Sequence, residues 1–132
     1  MTENYRKYIK QWLQKADNDL ASARRLFEIE PPIIDTACFH CQQAVEKYLK
    51  AYLVFKQVDF EKTHDVKYLR DLCADYDRDF QDLEVEVLND FGVNIRYPRF
   101  FNVQPDDVAG YIQLAQTISD LMALKINLTS NE

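Results

Sequence analysis

Side chains able to bind an anion recur along one side of the longest amphipathic segment, residues 33–55. When this segment is placed on a helix at about 100° per residue, its polar residues fall opposite an apolar stripe. With one residue just after the segment, they are Thr36, His40, Gln43, Glu46, Lys47, Lys50 and Gln57. The pattern predicts a solvent-open row. Because ammonium and amide groups donate hydrogen bonds to phosphate oxygens, Gln43, Lys47 and Lys50 on this row offer the donors that a phosphate would need. A solvated helix side would have the same pattern.

Three residues outside that segment could complete an anion site. His64 could move a proton, Arg96 could neutralise a phosphate, and Tyr97 could stack on a base. Each residue also has a purely structural interpretation. His64 could form a local hydrogen bond at a helix start, Arg96 could form an ion pair that holds a loop against a helix, and Tyr97 could pack against other apolar side chains. The sequence does not place residues 92–104 beside the polar row, so the complete site is a hypothesis.

The cysteines have a spacing that could indicate redox chemistry or half a zinc site, because Cys38 and Cys41 form a C-x-x-C pair. Both lie on the apolar side of the central segment, no second pair exists, and Cys73 is isolated. We therefore expect buried, inert thiols and no bound metal or cofactor. An odd number of cysteines without disulfide spacing is typical of a reducing compartment.

The charge is acidic overall and unevenly distributed. A net charge of −6 argues against the broad basic surface that non-specific nucleic-acid binding requires. Residues 47–70 nevertheless contain six basic and three acidic side chains, whereas residues 71–90 contain eight acidic side chains and one basic side chain, Arg78. A local anion site is therefore possible beside a face that would repel anions.

The elements that would position these residues are helices, because apolar side chains recur at helical spacing through most of the chain. The first helix covers about residues 3–29 and is ended by Pro31-Pro32, which leaves a short connection to the central helix. The last helix opens at Pro105 and runs to about residue 128. The segment at 92–104 has no clear period.

Two shorter helices are predicted between the central and the last helix. The third helix is capped by Thr63, and its inner face ends at Tyr76. The fourth is an acidic helix at about residues 80–91 that buries Val87 among other apolar residues and stops at Gly92.

The whole chain is predicted to be one all-α domain, residues 1–132, folded as an up-and-down bundle of four to five helices. Only two glycines and four prolines occur, and 47% of the residues are apolar. The longest uninterrupted apolar run is AYLVF at residues 51–55, so we expect a cytoplasmic protein without a membrane or secretory segment.

The run CFHCQQAVEKYLKAYLVF at residues 38–55, followed by THDVKYLRDL at 63–72 and IRYP at 95–98, resembles the HEPN family (higher eukaryotes and prokaryotes nucleotide-binding domain). The resemblance implies an all-α bundle, often a homodimer, with a role linked to nucleotides or RNA. Many family members are encoded beside a small nucleotidyltransferase as toxin–antitoxin pairs, so the resemblance also implies such a partner.

Ribonucleases of this family carry an arginine followed, after four to six intervening residues, by a histidine. The histidine can move protons at the ribose and leaving oxygens while the arginine stabilises charge on the phosphate. Arg96 lies in the comparable region, but the histidine positions hold Phe101, Asn102 and Val103. Counting from Arg99 instead gives Gln104, Pro105 and Asp106. The pair is therefore absent in its usual form.

Three functions remain open. We favour a non-catalytic, dimeric module that binds a nucleotide, an RNA or a partner nucleotidyltransferase. The first alternative is a ribonuclease with an altered site that uses His64 and Arg96. The second is a purely structural helical protein whose acidic surface at Asp71–Asp90 binds a basic partner.

Overall fold

The computed structural model describes residues 1–94 and 103–128, without the side chains of residues 92–94. Its helices are α1 (Glu3–Glu28), α2 (Ile34–Phe55), α3 (Val66–Tyr76), α4 (Asn89–Asn94) and α5 (Pro105–Lys125), with short 3-10 turns at Arg78–Phe80 and Glu86–Leu88. No strand occurs in the described residues, so the all-α prediction is confirmed. No described helix is both long enough and apolar enough to cross a membrane.

Helix α2 lies at the centre and contacts α1, α3, α4 and α5. Its pairing with α1 is antiparallel: the hydroxyl of Tyr5 in the first turn of α1 donates to the carbonyl of Val54 in the last turn of α2. At the other end, the amide of Ile33 donates to the carbonyl of Leu26. The short connection predicted from Pro31-Pro32 thus joins neighbouring antiparallel helices.

The predicted apolar stripe of α2 is the centre of the core. Cys38, Cys41, Val45, Tyr48 and Tyr52 are all fully or almost fully buried. Burying a large apolar side chain contributes about 1.5–3 kcal/mol, so this stripe alone is a large part of the driving force for folding.

Helix α3 begins two residues later than predicted, because its N-cap is Asp65 and not Thr63. The side chain of Asp65 is its N-cap and accepts from the Tyr68 amide, while Thr63 Oγ1 accepts from the Asp65 amide. Asn89 Oδ1 accepts from the Val66 amide, which ties this helix start to the beginning of α4. At the other end Tyr76 is exposed rather than packed inside, contrary to prediction.

The acidic helix predicted at residues 80–91 is wrong. The chain forms two 3-10 turns and the short helix α4, which continues past Gly92 to Asn94. A continuous α-helix would place Asp82 and Glu86 one turn apart, and like charges at that spacing are destabilising. Phe80 is buried against the ring of Tyr52, so the segment is held by separate apolar contacts instead of one helical face.

Candidate functional site

The polar side of α2 is partly closed by the rest of the chain. Glu46 is 4% exposed and Lys50 is 7% exposed, so the prediction of a solvent-open row is wrong at these two positions. Periodicity within one helix could not indicate this, because the residues that cover them belong to α1 and to the loop before α3.

Glu46 is the centre of a hydrogen-bonded network. Its carboxylate accepts from Lys50 Nζ at 3.0 Å and from Gln42 Nε2 at 3.2 Å, and His64 Nδ1 lies 2.9 Å from its Oε1. Gln42 also donates to the backbone carbonyl of His64 at 2.9 Å, which fixes the loop before α3 against α2. A buried carboxylate is stable only with such partners, and here four groups from two segments satisfy one another.

The ammonium group of Lys50 is enclosed by aromatic rings as well as paired. Its Nζ lies 5.7 Å from the centroid of the Trp12 ring and 5.9 Å from that of Phe60. These distances are typical of cation–π contacts. Lys50 therefore fastens α1, α2 and the following loop together, and its charge is already neutralised by Glu46.

A second polar cluster joins α1 to α2 through Asp19. Its carboxylate accepts from Lys47 Nζ at 2.5 Å and lies 2.8 Å from His40 Nδ1. Asp19 is buried although α1 is otherwise apolar on this side. Sequence reasoning missed Asp19, and the available signal was a carboxylate between Ala16, Leu20 and Ala23 on the inner stripe of α1.

Of the predicted ligands that the structure describes, His64 is the most exposed, since 56% of its side chain is accessible. The Glu46 carboxylate can only accept a hydrogen bond, so the proton of a neutral His64 ring lies on Nδ1 and Nε2 is the acceptor nitrogen. The imidazole borders an open depression of about 460 Å³, which is also lined by Thr63, Asp65 and Asn89.

The predicted ligands fall into two groups. Gln43, Lys50 and His64 belong to one network, because Gln43 Nε2 donates to Gln42 Oε1 at 2.6 Å. Lys47 belongs to the Asp19 cluster instead. Arg96 and Tyr97 lie outside the residues that the structure describes. Gln42 was missed because it is a polar residue on the buried side, where the pattern predicted none.

The cysteines are free and fully buried, as predicted. Burial raises the pKa of the Cys38 and Cys41 thiols to about 12, and it also raises the pKa of Cys73. Thiols with such values stay protonated at neutral pH and are poor nucleophiles and ligands. In the described part of the chain, no three His, Cys, Asp or Glu side chains form a group that could hold a metal ion.

The basic stretch at residues 47–70 is also mostly neutralised within the fold. Besides Lys47 and Lys50, Lys67 pairs with Asp71 at 3.0 Å. Arg70 pairs with Asp71 at 2.8 Å and with Glu86 at 2.5 Å. Four of the six cations in this stretch therefore have carboxylate partners.

The acidic stretch at residues 71–90 is exposed, and we call its exposed carboxylates the acidic face. They are Asp71, Asp75, Asp79, Asp82, Glu84, Glu86 and Asp90. Lys125 pairs with Asp77 at 2.9 Å and with Asp79 at 2.6 Å, so one edge of this face is compensated. Among the described residues, Asp75, Asp82, Glu84 and Asp90 enter no ion pair.

Comparison with known proteins identifies the family. The family model described as HEPN domain matches residues 9–126. The fold is similar to that of an archaeal HEPN homologue, with a TM-score of 0.63 and 22% identity over 90% of this chain and 98% of the other. No curated protein matches the chain significantly. The match extends over nearly the whole sequence, and the chain belongs to the HEPN domain family.

Proposed function

We propose that this HEPN protein is a non-catalytic binding module and that its ligand is a partner protein with a basic surface. The proposal rests on one observation: the cations of α2 have carboxylate partners, whereas several carboxylates of the acidic face have no cationic partner. Lys47 and Lys50, the cations suited to phosphate, are paired with carboxylates of the fold. On the acidic face, Asp75, Asp82, Glu84 and Asp90 are exposed and enter no ion pair among the described residues.

We favour partner binding over nucleotide or RNA binding because a phosphate would first have to separate these cations from their carboxylate partners, which costs free energy. A phosphate that recruited Lys50 would have to separate it from Glu46 and leave a carboxylate buried without its counter-charge. A basic protein meets no such obstacle at the acidic face, where complementary charge also accelerates association.

The proposal includes the partner that the family resemblance implies, a small nucleotidyltransferase, and with it a toxin–antitoxin role and a homodimeric state. The non-catalytic role is supported by the sequence, because no histidine follows His64 and the family's Arg–His pair cannot be completed after Arg96 or Arg99.

The test uses the purified full chain. Calorimetry with ATP, AMP and a short RNA should give no binding, and the melting temperature should not rise, since a ligand of the folded state must raise it. The neighbouring reading frames should encode a small nucleotidyltransferase, and that protein should bind with an affinity that falls as salt rises. Nucleotide or RNA binding without partner binding would contradict the proposal.

A second function, ribonuclease activity with an altered site, is favoured by the Glu46–His64 pair. A carboxylate that holds Nδ1 leaves Nε2 as the nitrogen that can accept or return a proton, as a general acid–base catalyst requires. Incubation with labelled RNA distinguishes the two functions. Cleavage by the native chain that is abolished by His64→Gln, a change at an exposed side chain, would favour the ribonuclease.

A further inference from the structure

A groove with an apolar floor and an acidic rim lies between the segment before α4 and the first turns of α5. Its volume is about 340 Å³. Its apolar lining residues are Val87, Tyr111 and Leu114, which we call the floor, and its acidic lining residues are Glu84, Asp106 and Asp107, which we call the rim. Val87 is 47% exposed, so the groove presents an aliphatic side chain to solvent.

Gly110 is one of the residues that line the groove. A Cβ atom built on Gly110 would meet no described atom within 4 Å, so packing within the described chain does not require glycine there. Glycine in a helix interior costs about 1 kcal/mol relative to alanine. Without a side chain, Gly110 leaves the backbone of α5 accessible to an occupant of the groove.

The rim charges have no internal counter-charge among the described residues. No ion pair there involves Glu84, Asp106 or Asp107, although Asp107 accepts from the Gln104 amide at the start of α5. Helix α5 has no lysine or arginine before Lys125. The groove is therefore continuous in charge with the acidic face and is suited to a cationic occupant.

We propose that this acidic groove binds a partner protein through a segment in which apolar side chains are flanked by lysine or arginine. The apolar side chains would cover Val87 and Tyr111, and the cations would meet the rim. The Tyr111 side chain is held in place because its ring packs on the ring of Phe91, with centroids 5.6 Å apart. The inference rests on the proposed partner-binding function and names the surface that performs it.

The probe is a labelled peptide, Gly-Lys-Arg-Leu-Phe-Arg-Lys-Gly, titrated into the full chain and followed by fluorescence anisotropy. A matched peptide replaces Leu-Phe by Ser-Ser and keeps the charge. We expect the first peptide to bind at least about tenfold more tightly, which corresponds to about 1.4 kcal/mol. Equal binding of the two peptides, or no binding of the first, would overturn the proposal.

Two substitutions on α5 locate the site. Gly110→Arg fills the groove and should weaken binding of the first peptide by about tenfold or more. Leu124→Arg adds the same charge at a position that is 81% exposed near the other end of the helix, and it should leave binding unchanged. An equal effect of both variants would mean attraction by overall charge alone and would overturn the proposal.

The same variants separate this inference from the proposed function. If the nucleotidyltransferase binds the native chain and Gly110→Arg equally, the groove is not the docking surface but partner binding stands. If the nucleotidyltransferase binds neither the native chain nor Gly110→Arg, the proposed function fails as well. A native dimer that becomes monomeric in Gly110→Arg on sedimentation would identify a second copy as the occupant and would overturn the proposal.

Discussion

The two most highly charged regions of this molecule use charge in opposite ways. On the polar side of α2, Lys47 and Lys50 are neutralised by Asp19 and Glu46 and join α1 to α2. On the acidic face and the groove beside it, carboxylates such as Glu84 and Asp106 stand in solvent without described cationic partners. The first region holds the fold together, and the second is the surface that we propose for partner binding.

Removing the carboxylate at the centre of α2 should have the largest effect on stability. Glu46→Ala leaves the Lys50 ammonium buried between Trp12 and Phe60 without a counter-charge. We expect the free energy of unfolding in urea to fall by about 3–5 kcal/mol. The matched control is Glu84→Ala on the exposed side, which should change it by about 0.5 kcal/mol or less.

A double variant tests whether charge burial is the cause. Glu46→Leu combined with Lys50→Met removes both charges and keeps the volume, and it should recover most of the stability lost in Glu46→Ala. An equal loss in the double and the single variant would mean that packing, not the unpaired charge, is responsible.

The second cluster should give a smaller effect. Asp19→Ala leaves Lys47 and His40 without their acceptor, but both side chains are partly exposed and can be hydrated. We expect a loss of about 1–3 kcal/mol in urea unfolding. The exposed neighbour Asn18→Ala is the control on the same helix, and a loss as large as that of Asp19→Ala would contradict the assignment.

Lowering the pH should reduce the stability that the Lys125–Asp77 ion pair contributes to the fold. The hydrogen bond from Lys125 lowers the pKa of Asp77 in the folded state. A lowered folded-state pKa contributes stability above the ordinary value of about 3.9, and this contribution is lost as the pH falls through the folded value. Unfolding measured between about pH 5 and pH 2 should show this loss, with a shallower slope in Lys125→Met. An identical slope would contradict the role of this pair.

The smallest effect is expected for an exposed pair one helical turn apart. Lys67 and Asp71 are both more than half exposed, so Lys67→Ala should cost only about 0.3–0.5 kcal/mol, and high salt should reduce the difference. A loss comparable to that of Glu46→Ala would remove the distinction between buried and exposed charge on which the comparison rests.

The three long helices, α1, α2 and α5, and the apolar stripe of α2 were predictable because they depend on local signals. Pro31-Pro32 and Pro105 marked helix boundaries, and the apolar period identified Cys38, Val45 and Tyr52 as core residues. These signals act within one segment of chain, so one sequence is enough to interpret them.

The closure of the polar row was not predictable because it depends on the neighbouring helix. Nothing within α2 distinguishes a Lys50 exposed to water from a Lys50 paired with Glu46 beneath Trp12. Val87 illustrates the converse error: its spacing predicted burial, but the segment forms 3-10 turns in which Val87 faces the groove. The site thus required knowledge of contacts between segments.

The antiparallel pairing of α1 with α2 has a consequence for how the chain acquires its structure. The link between Glu28 and Ile34 is short, so closing this hairpin costs little chain entropy, and many core contacts are local in sequence. We expect the hairpin to assemble early, before the later helices dock on it. During synthesis, which proceeds from the N-terminus, the residues up to Phe55 can then form a template while the acidic half is still being translated.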